Sequence, residues 1–211
     1  MTDSDDLLFA TIDSIPIPDC ALAAKEILAL SDNLSFWDDY RCTKMYPLMN
    51  RTGTTSRQGN NNNQDGEFVW VDHAPKTTVN WCEDYLFPWL GTKSRVMALV
   101  TQPGAANYEH IDCQRHELNT RQHKVRLVLQ GHTDTLYWIT DQGRVAAPQV
   151  QQAFVMDGGW PHGMVNDAAQ PKVTIAIGAP WSGKNSYDDI TILQRRSQYT
   201  MPQDIDHLWR V

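Results

Sequence analysis

His110 and Asp112 stand two residues apart, His162 follows 52 residues after His110, and Lys172 comes ten residues later. These are the side chains whose types and spacing can do chemistry together. On an extended strand, residues two apart point to the same side, about 6–7 Å from one another along the backbone. An imidazole and a carboxylate placed this way converge on a small divalent cation, and a second imidazole completes a three-ligand face. The other face of such an ion stays open to exchangeable molecules. The set contains no thiolate, which disfavours a structural zinc site. Zinc and other divalent ions nevertheless accept the same nitrogen and oxygen donors.

Short strands must position such a set. Phe68–Val71, Arg95–Thr101, Ala106–Asp112, Val125–Gln130, Thr135–Thr140, Gln152–Met156, His162–Val165 and Val173–Ile177 read as strands separated by polar turns. That spacing indicates a sandwich or barrel. Eight strands in two sheets form a jelly roll, which also serves cupins. Upstream, Leu7–Ile17 reads as an opening strand ended by Pro16 and Pro18, and Asp19 caps a helix over 21–30 with Leu22, Ile27 and Leu30 on its apolar stripe. Ser35–Tyr40 reads as a turn, Arg41–Tyr46 as a strand, and Trp81–Trp89 as partly helical. Residues 51–66, rich in Asn, Gly and Thr, form a mobile loop. It is either a plain surface loop or a lid with Arg51 and Arg57 turned to substrate. The chain reads as one domain: an N-terminal helix and strand region with that loop (1–66), a core (67–181) and an extension (182–211). The extension begins loop-like and carries Ile192, Leu193, Leu208 and Trp209 among polar residues. It is expected either to fold back on the domain or to support a dimer contact.

A net charge of −7 argues against a chain whose main work is gripping nucleic acid. The four cysteines form no C-x-x-C pair, as expected of reduced thiols in a cytosolic protein. Met-Thr-Asp-Ser-Asp-Asp at the start lacks the basic-then-apolar pattern of a signal peptide. No apolar run approaches the ~20 residues that cross a bilayer. A cytoplasmic monomer or homodimer is expected, with no membrane and no nucleic-acid partner.

Two histidines and one carboxylate on one face of a metal is the arrangement of non-haem Fe(II) oxygenases. The order H-x-D, about fifty residues, His, then a basic residue ten further on resembles the 2-oxoglutarate-dependent Fe(II) dioxygenases, nearest their prolyl and aspartyl/asparaginyl hydroxylase-like branch. The resemblance covers roughly residues 95–181 and implies a double-stranded β-helix with the N-terminal helix packed on its major sheet. A second H-x-D, His132–Asp134, lies only 30 residues before His162. Four strands of ~5–6 residues and their connections do not fit in that interval. His132 and Asp134 are therefore expected to be surface residues.

The resemblance implies that His110, Asp112 and His162 hold Fe(II). It also implies that Lys172 anchors the far carboxylate of 2-oxoglutarate with the Thr174 hydroxyl beside it; Lys in place of the commoner Arg is the variant of collagen-type prolyl hydroxylases. A lysine on an apolar strand needs such a partner, because an unpaired buried ammonium is costly. Arg126, on the strand after H-x-D, is implied in binding the cosubstrate or a substrate carboxylate. The stretch Arg-Leu-Val-Leu lacks the histidine of that branch's Arg-x-His-x-x-Leu, and His162-Gly-Met-Val-Asn166 matches its H-x-V-x-N with the Val shifted by one. Tyr108 shares the face of His110 if the strand is regular, where it either bonds 2-oxoglutarate or packs. Trp138 and Trp160 wall the pocket or serve the core.

The implied activity is an O2-dependent hydroxylation of an amino acid, free or in a peptide, with proline favoured and succinate and CO2 as co-products. Retention of Asp112 points to hydroxylation, since the family's halogenases replace that carboxylate with a small residue. The rival expectations are a cupin-type metal enzyme that does not use 2-oxoglutarate, and a binding protein with a vestigial site.

Overall fold

The computed structural model describes residues 6–39, 42–56, 66–112, 123–178 and 189–208. Thirteen strands are present among them: β1 (Leu7–Ile12), β2 (Phe36–Asp38), β3 (Thr43–Asn50), β4 (Val69–Trp70), β5 (Val96–Thr101), β6 (Ala106–His110), β7 (His123–Gln130), β8 (Leu136–Thr140), β9 (Gly143–Ala146), β10 (Phe154–Asp157), β11 (His162–Val165), β12 (Lys172–Ile177) and β13 (Ile190–Arg195). Nine form a large sheet in the order β13-β1-β10-β7-β12-β5-β3-β2, with β4 on β3, and four form a small sheet in the order β6-β11-β8-β9. This mainly β, two-sheet arrangement is the expected jelly roll.

Period-two alternation on the central strands decides which residues reach the site. Val125, Leu127 and Leu129 on β7, and Val173, Ile175 and Ile177 on β12, join one apolar cluster with residues of the helices. Those helices are α1 (Cys20–Leu28), α2 (Lys76–Trp81) and α3 (Phe87–Leu90), the last two linked by a π-helical turn over Cys82–Leu86. The alternate residues, Lys124 and Arg126 on β7 and Lys172 and Thr174 on β12, take the opposite face. A second cluster joins the sheets, with Leu8, Phe9, Phe154 and Met156 of the large sheet meeting Leu136 and Trp138 of the small one.

Asp19 caps α1 as expected, accepting the Leu22 N–H at 3.0 Å. The helix is shorter than 21–30, however, and its buried face is Ala23, Ala24 and Ile27. Leu22 is 45% exposed. The cap fixes where the first turn begins and hence the rotation of the helix, and the two alanines let its backbone approach the sheet.

Ser35–Tyr40 contains β2 rather than a turn alone, and β9 and β13 were not expected as strands. β13 pairs antiparallel with β1, so the start of the C-terminal extension folds back on the large sheet. Cys20, Cys42 and Cys82 are free thiols. Arg57, Cys113 and Trp209, the rest of the 51–66 loop, and residues 182–188 of the extension lie largely or wholly outside the described residues.

The face that α1 buries is testable by urea denaturation. Ile27→Ala should destabilise the protein by about 2–5 kcal/mol. Leu22→Ala should stay within about 0.5 kcal/mol.

Candidate metal centre

β6 ends at His110 and β11 begins at His162, and the two are cross-strand partners in the small sheet. Their rings lie 4.4 Å apart between centroids. Asp112 lies two residues beyond the end of β6, and its backbone N–H donates to the Gly158 carbonyl at 2.8 Å. His110, His162 and the Asp112 side chain are 2%, 5% and 6% exposed.

Both imidazoles are oriented in the same way. Nδ1 of His110 lies 2.7 Å from the Tyr108 carbonyl, and Nδ1 of His162 lies 2.7 Å from the Trp160 carbonyl, each two residues upstream. A carbonyl only accepts, so each Nδ1 carries the hydrogen and each Nε2 keeps its lone pair. Both Nε2 atoms face Asp112: that of His110 is 3.4 Å from Oδ1, and that of His162 is 3.8 Å from Oδ2. Two ligands each about 2.1 Å from one ion are at most about 4.2 Å apart. The two nitrogen–oxygen separations, each to a different carboxylate oxygen, fall inside that limit, and one donor atom from each of the three residues lies within 4.8 Å of the others. Among the described residues this is the one such cluster.

The electrostatics favour the ligating protonation states. Burial alone would raise the Asp112 carboxyl, but the nearby Lys124 cation holds it well below the usual carboxylate range. Burial, reinforced by repulsion from His110, pushes His162 down to about 3, so its imidazole is neutral at physiological pH. A neutral imidazole and an ionised carboxylate are the forms that bind metal.

Arg126 reaches the cluster. Its guanidinium donates to the Val125 and Ile177 carbonyls at 3.0 and 3.2 Å, and its second terminal nitrogen lies 3.9 Å from Asp112 Oδ2. Lys124, only 8% exposed, is a site residue that the sequence reading passed over. Its signal was available: Lys124 and Arg126 alternate with the core residues Val125 and Leu127.

Lys172 begins β12 at 3% exposure. Its ammonium donates to the His132 carbonyl at 2.7 Å and to the Thr135 hydroxyl. No carboxylate among the described residues lies within ion-pair distance of it, and the exposed Asp134 acts only from further off. Burial accordingly pushes Lys172 down to about 8. Thr174, 8% exposed, shares its face.

Tyr108 is not brought to the cluster. It is 61% exposed, because β6 carries an extra residue: His110 pairs with His162, but Asn107 rather than Tyr108 pairs with Met164. The bulge breaks the period-two rule that would have put Tyr108 beside His110. Its backbone carbonyl serves the site in place of its phenol. His132 and Asp134 are exposed, as expected, although the His132 carbonyl touches Lys172. Trp138 and Trp160 are buried in the cluster between the sheets, and Trp138 also meets the His162 ring edge-on at 5.8 Å. Arg51 lays its guanidinium over the Phe68 ring at 4.8 Å.

No family model and no curated protein matches the sequence. Solved structures do match the fold. A prolyl-4-hydroxylase of Pseudomonas putida aligns at TM-score 0.50 and 14% identity, covering 84% of this chain and 96% of that one. A prolyl hydroxylase from Trichoplax adhaerens, in complex with a hypoxia-inducible-factor peptide fragment, aligns at TM-score 0.52 and 14% identity over 84% of this chain and 83% of that one. HygX of Streptomyces hygroscopicus, with nickel, 2-oxoglutarate and hygromycin B bound, aligns at TM-score 0.54 and 9% identity over 82% and 83%. The chain therefore has the jelly-roll fold of these hydroxylases and oxygenases.

Isothermal titration with a divalent metal tests the cluster directly. Asp112→Ala should abolish binding, and His132→Ala should leave it unchanged.

Proposed function

We propose that this protein is an Fe(II)- and 2-oxoglutarate-dependent oxygenase that hydroxylates an amino acid within a peptide, with proline favoured. The observation that carries this reading is the pair of inward-facing Nε2 atoms set against the Asp112 carboxylate, with a buried ammonium lacking a close carboxylate on the same face of the large sheet. His110, Asp112 and His162 would hold Fe(II), whose chemistry with 2-oxoglutarate and O2 supplies the oxidising power. The likeness to two prolyl hydroxylases, one of them bound to a peptide, supports the substrate class.

The chain's own residues bind, orient and exclude. The two backbone carbonyls keep both imidazoles in the ligating tautomer. Lys172 offers its charge to the distal carboxylate of the cosubstrate, with the Thr174 hydroxyl on the same strand face. Lys124 keeps Asp112 ionised, and the Arg126 guanidinium lies beside its carboxylate. Trp138 closes one side of His162 against water.

The direct test is aerobic incubation with Fe(II), 2-oxoglutarate and proline-containing peptides, with mass spectrometry for a gain of one oxygen and assay of succinate. Succinate release that depends on peptide and matches the oxygen gained is the expected result. Metal binding without any 2-oxoglutarate consumption, whatever the substrate, contradicts it.

Lys172 should show a trade between binding and stability. Its displacement from 10.5 to about 8 corresponds to about 3 kcal/mol of folded-state destabilisation at neutral pH. Lys172→Met should leave the metal-free protein at least as stable as the parent while lowering 2-oxoglutarate affinity tenfold or more. Between pH 8 and 10.5 the unfolded chain holds a proton that folded Lys172 has released. Parent stability should therefore rise with pH across that window, and the rise should be absent in Lys172→Met.

A further inference from the structure

The segment from Asp157 to Pro161 supports two of the three ligands. The Gly158 carbonyl accepts the Asp112 N–H at 2.8 Å, and the Trp160 carbonyl accepts from His162 Nδ1 at 2.7 Å. The segment is itself held at several points. Asp157 Oδ1 accepts the Gly159 N–H at 2.8 Å, Trp160 Nε1 donates to the Ile139 carbonyl at 2.9 Å, and the Ile139 N–H donates to the Pro161 carbonyl at 2.9 Å.

Asp157 is 2% exposed, and its Oδ2 receives no hydrogen bond. A buried carboxylate in that position needs a cation, and Arg196 provides it. Its Nε lies 3.4 Å from Oδ2, and its guanidinium lies over the Trp160 ring at 5.5 Å. Arg196 belongs to the C-terminal extension, just after β13. The same extension touches the opposite side of the site, where the Leu208 carbonyl accepts the N–H of Ile111, the residue between two ligands.

We propose that Arg196 is a positioning residue for the metal centre. By pairing with buried Asp157 and capping Trp160, it fixes the turn whose carbonyls set the Asp112 backbone and the His162 ring, and so ties the C-terminal extension to metal affinity. Arg196 does not contact the ligands, so its effect passes through the turn. This rests on the metal-site assignment above.

The test compares Arg196→Met, Arg196→Lys and Arg195→Met. Met keeps the apolar stem over Trp160 and removes the charge, and Lys restores the charge. Arg195, the neighbouring residue, pairs with Asp6 at 3.6 Å and serves as the control for docking of the extension. Two quantities are read: Fe(II) affinity, and hydrogen exchange at the Asp112 amide in the metal-free protein.

Arg196→Met should weaken Fe(II) binding about tenfold or more, the range seen when partners of metal ligands are removed. It should also speed exchange at the Asp112 amide. Arg196→Lys should recover most of both, and Arg195→Met should change neither. If Arg196→Met does not fold, Asp157→Asn gives the same reading, because it removes the charge while leaving an acceptor for Gly159. Unchanged affinity and exchange in Arg196→Met, or equal losses in Arg195→Met, overturn the proposal. Exchange that responds as expected in a parent protein that binds no Fe(II) sinks the metal assignment but leaves the coupling between Arg196 and the turn intact.

Discussion

An imidazole ligates a metal through Nε2 only when its other nitrogen is committed as a donor and its ring is aimed. Here one hydrogen bond, from Nδ1 to the carbonyl two residues upstream, does both, and it is made twice. Because His110 and His162 are cross-strand partners, the two bonds sit side by side where β6 ends and β11 begins. Much of the surrounding structure holds those carbonyls still. The bulge in β6 turns the Tyr108 side chain away while leaving its carbonyl beneath the ring. The turn after β10 presents the Trp160 carbonyl to one ligand and the Gly158 carbonyl to another.

Charge follows the same layout. The inward face of β7 brings Lys124 and Arg126 to Asp112, and the Lys124 charge keeps the carboxylate ionised despite its burial. On β12, the same alternation that buries Val173, Ile175 and Ile177 against the helices sends Lys172 to the other face, where its neighbours are neutral oxygens. Such an ammonium weakens the fold unless an anion arrives. Under the proposed function, a dicarboxylate with one end on the metal and the other at Lys172 would meet the requirements of both.

The three clustered side chains and Lys172 were legible in the sequence because their signal is local: an H-x-D on a strand, a second histidine after a glycine-rich turn, and a lysine breaking an apolar alternation. The choice of His110 over His132 also followed from chain length, since four strands need room. The residues that escaped depend on pairing across the chain. A bulge such as that at Tyr108 is defined by the register of two strands, and nothing in Tyr108-Glu-His alone announces it. The rotation of α1 follows from where Asp19 caps it, and a stripe drawn through Leu22 was off by one position. Arg196 and Asp157 lie 39 positions apart and meet only because β13 folds back on β1. Lys124 stood two residues before Arg126, on the same face of the same strand, and was passed over.

The most direct measurement is an anaerobic titration of the metal-free protein with Fe(II) and then 2-oxoglutarate, followed in the visible. A metal-to-ligand charge-transfer band that grows with 2-oxoglutarate and is lost in His110→Ala is the predicted result. Fe(II) binding without such a band would contradict the assignment of a cosubstrate held between the metal and Lys172.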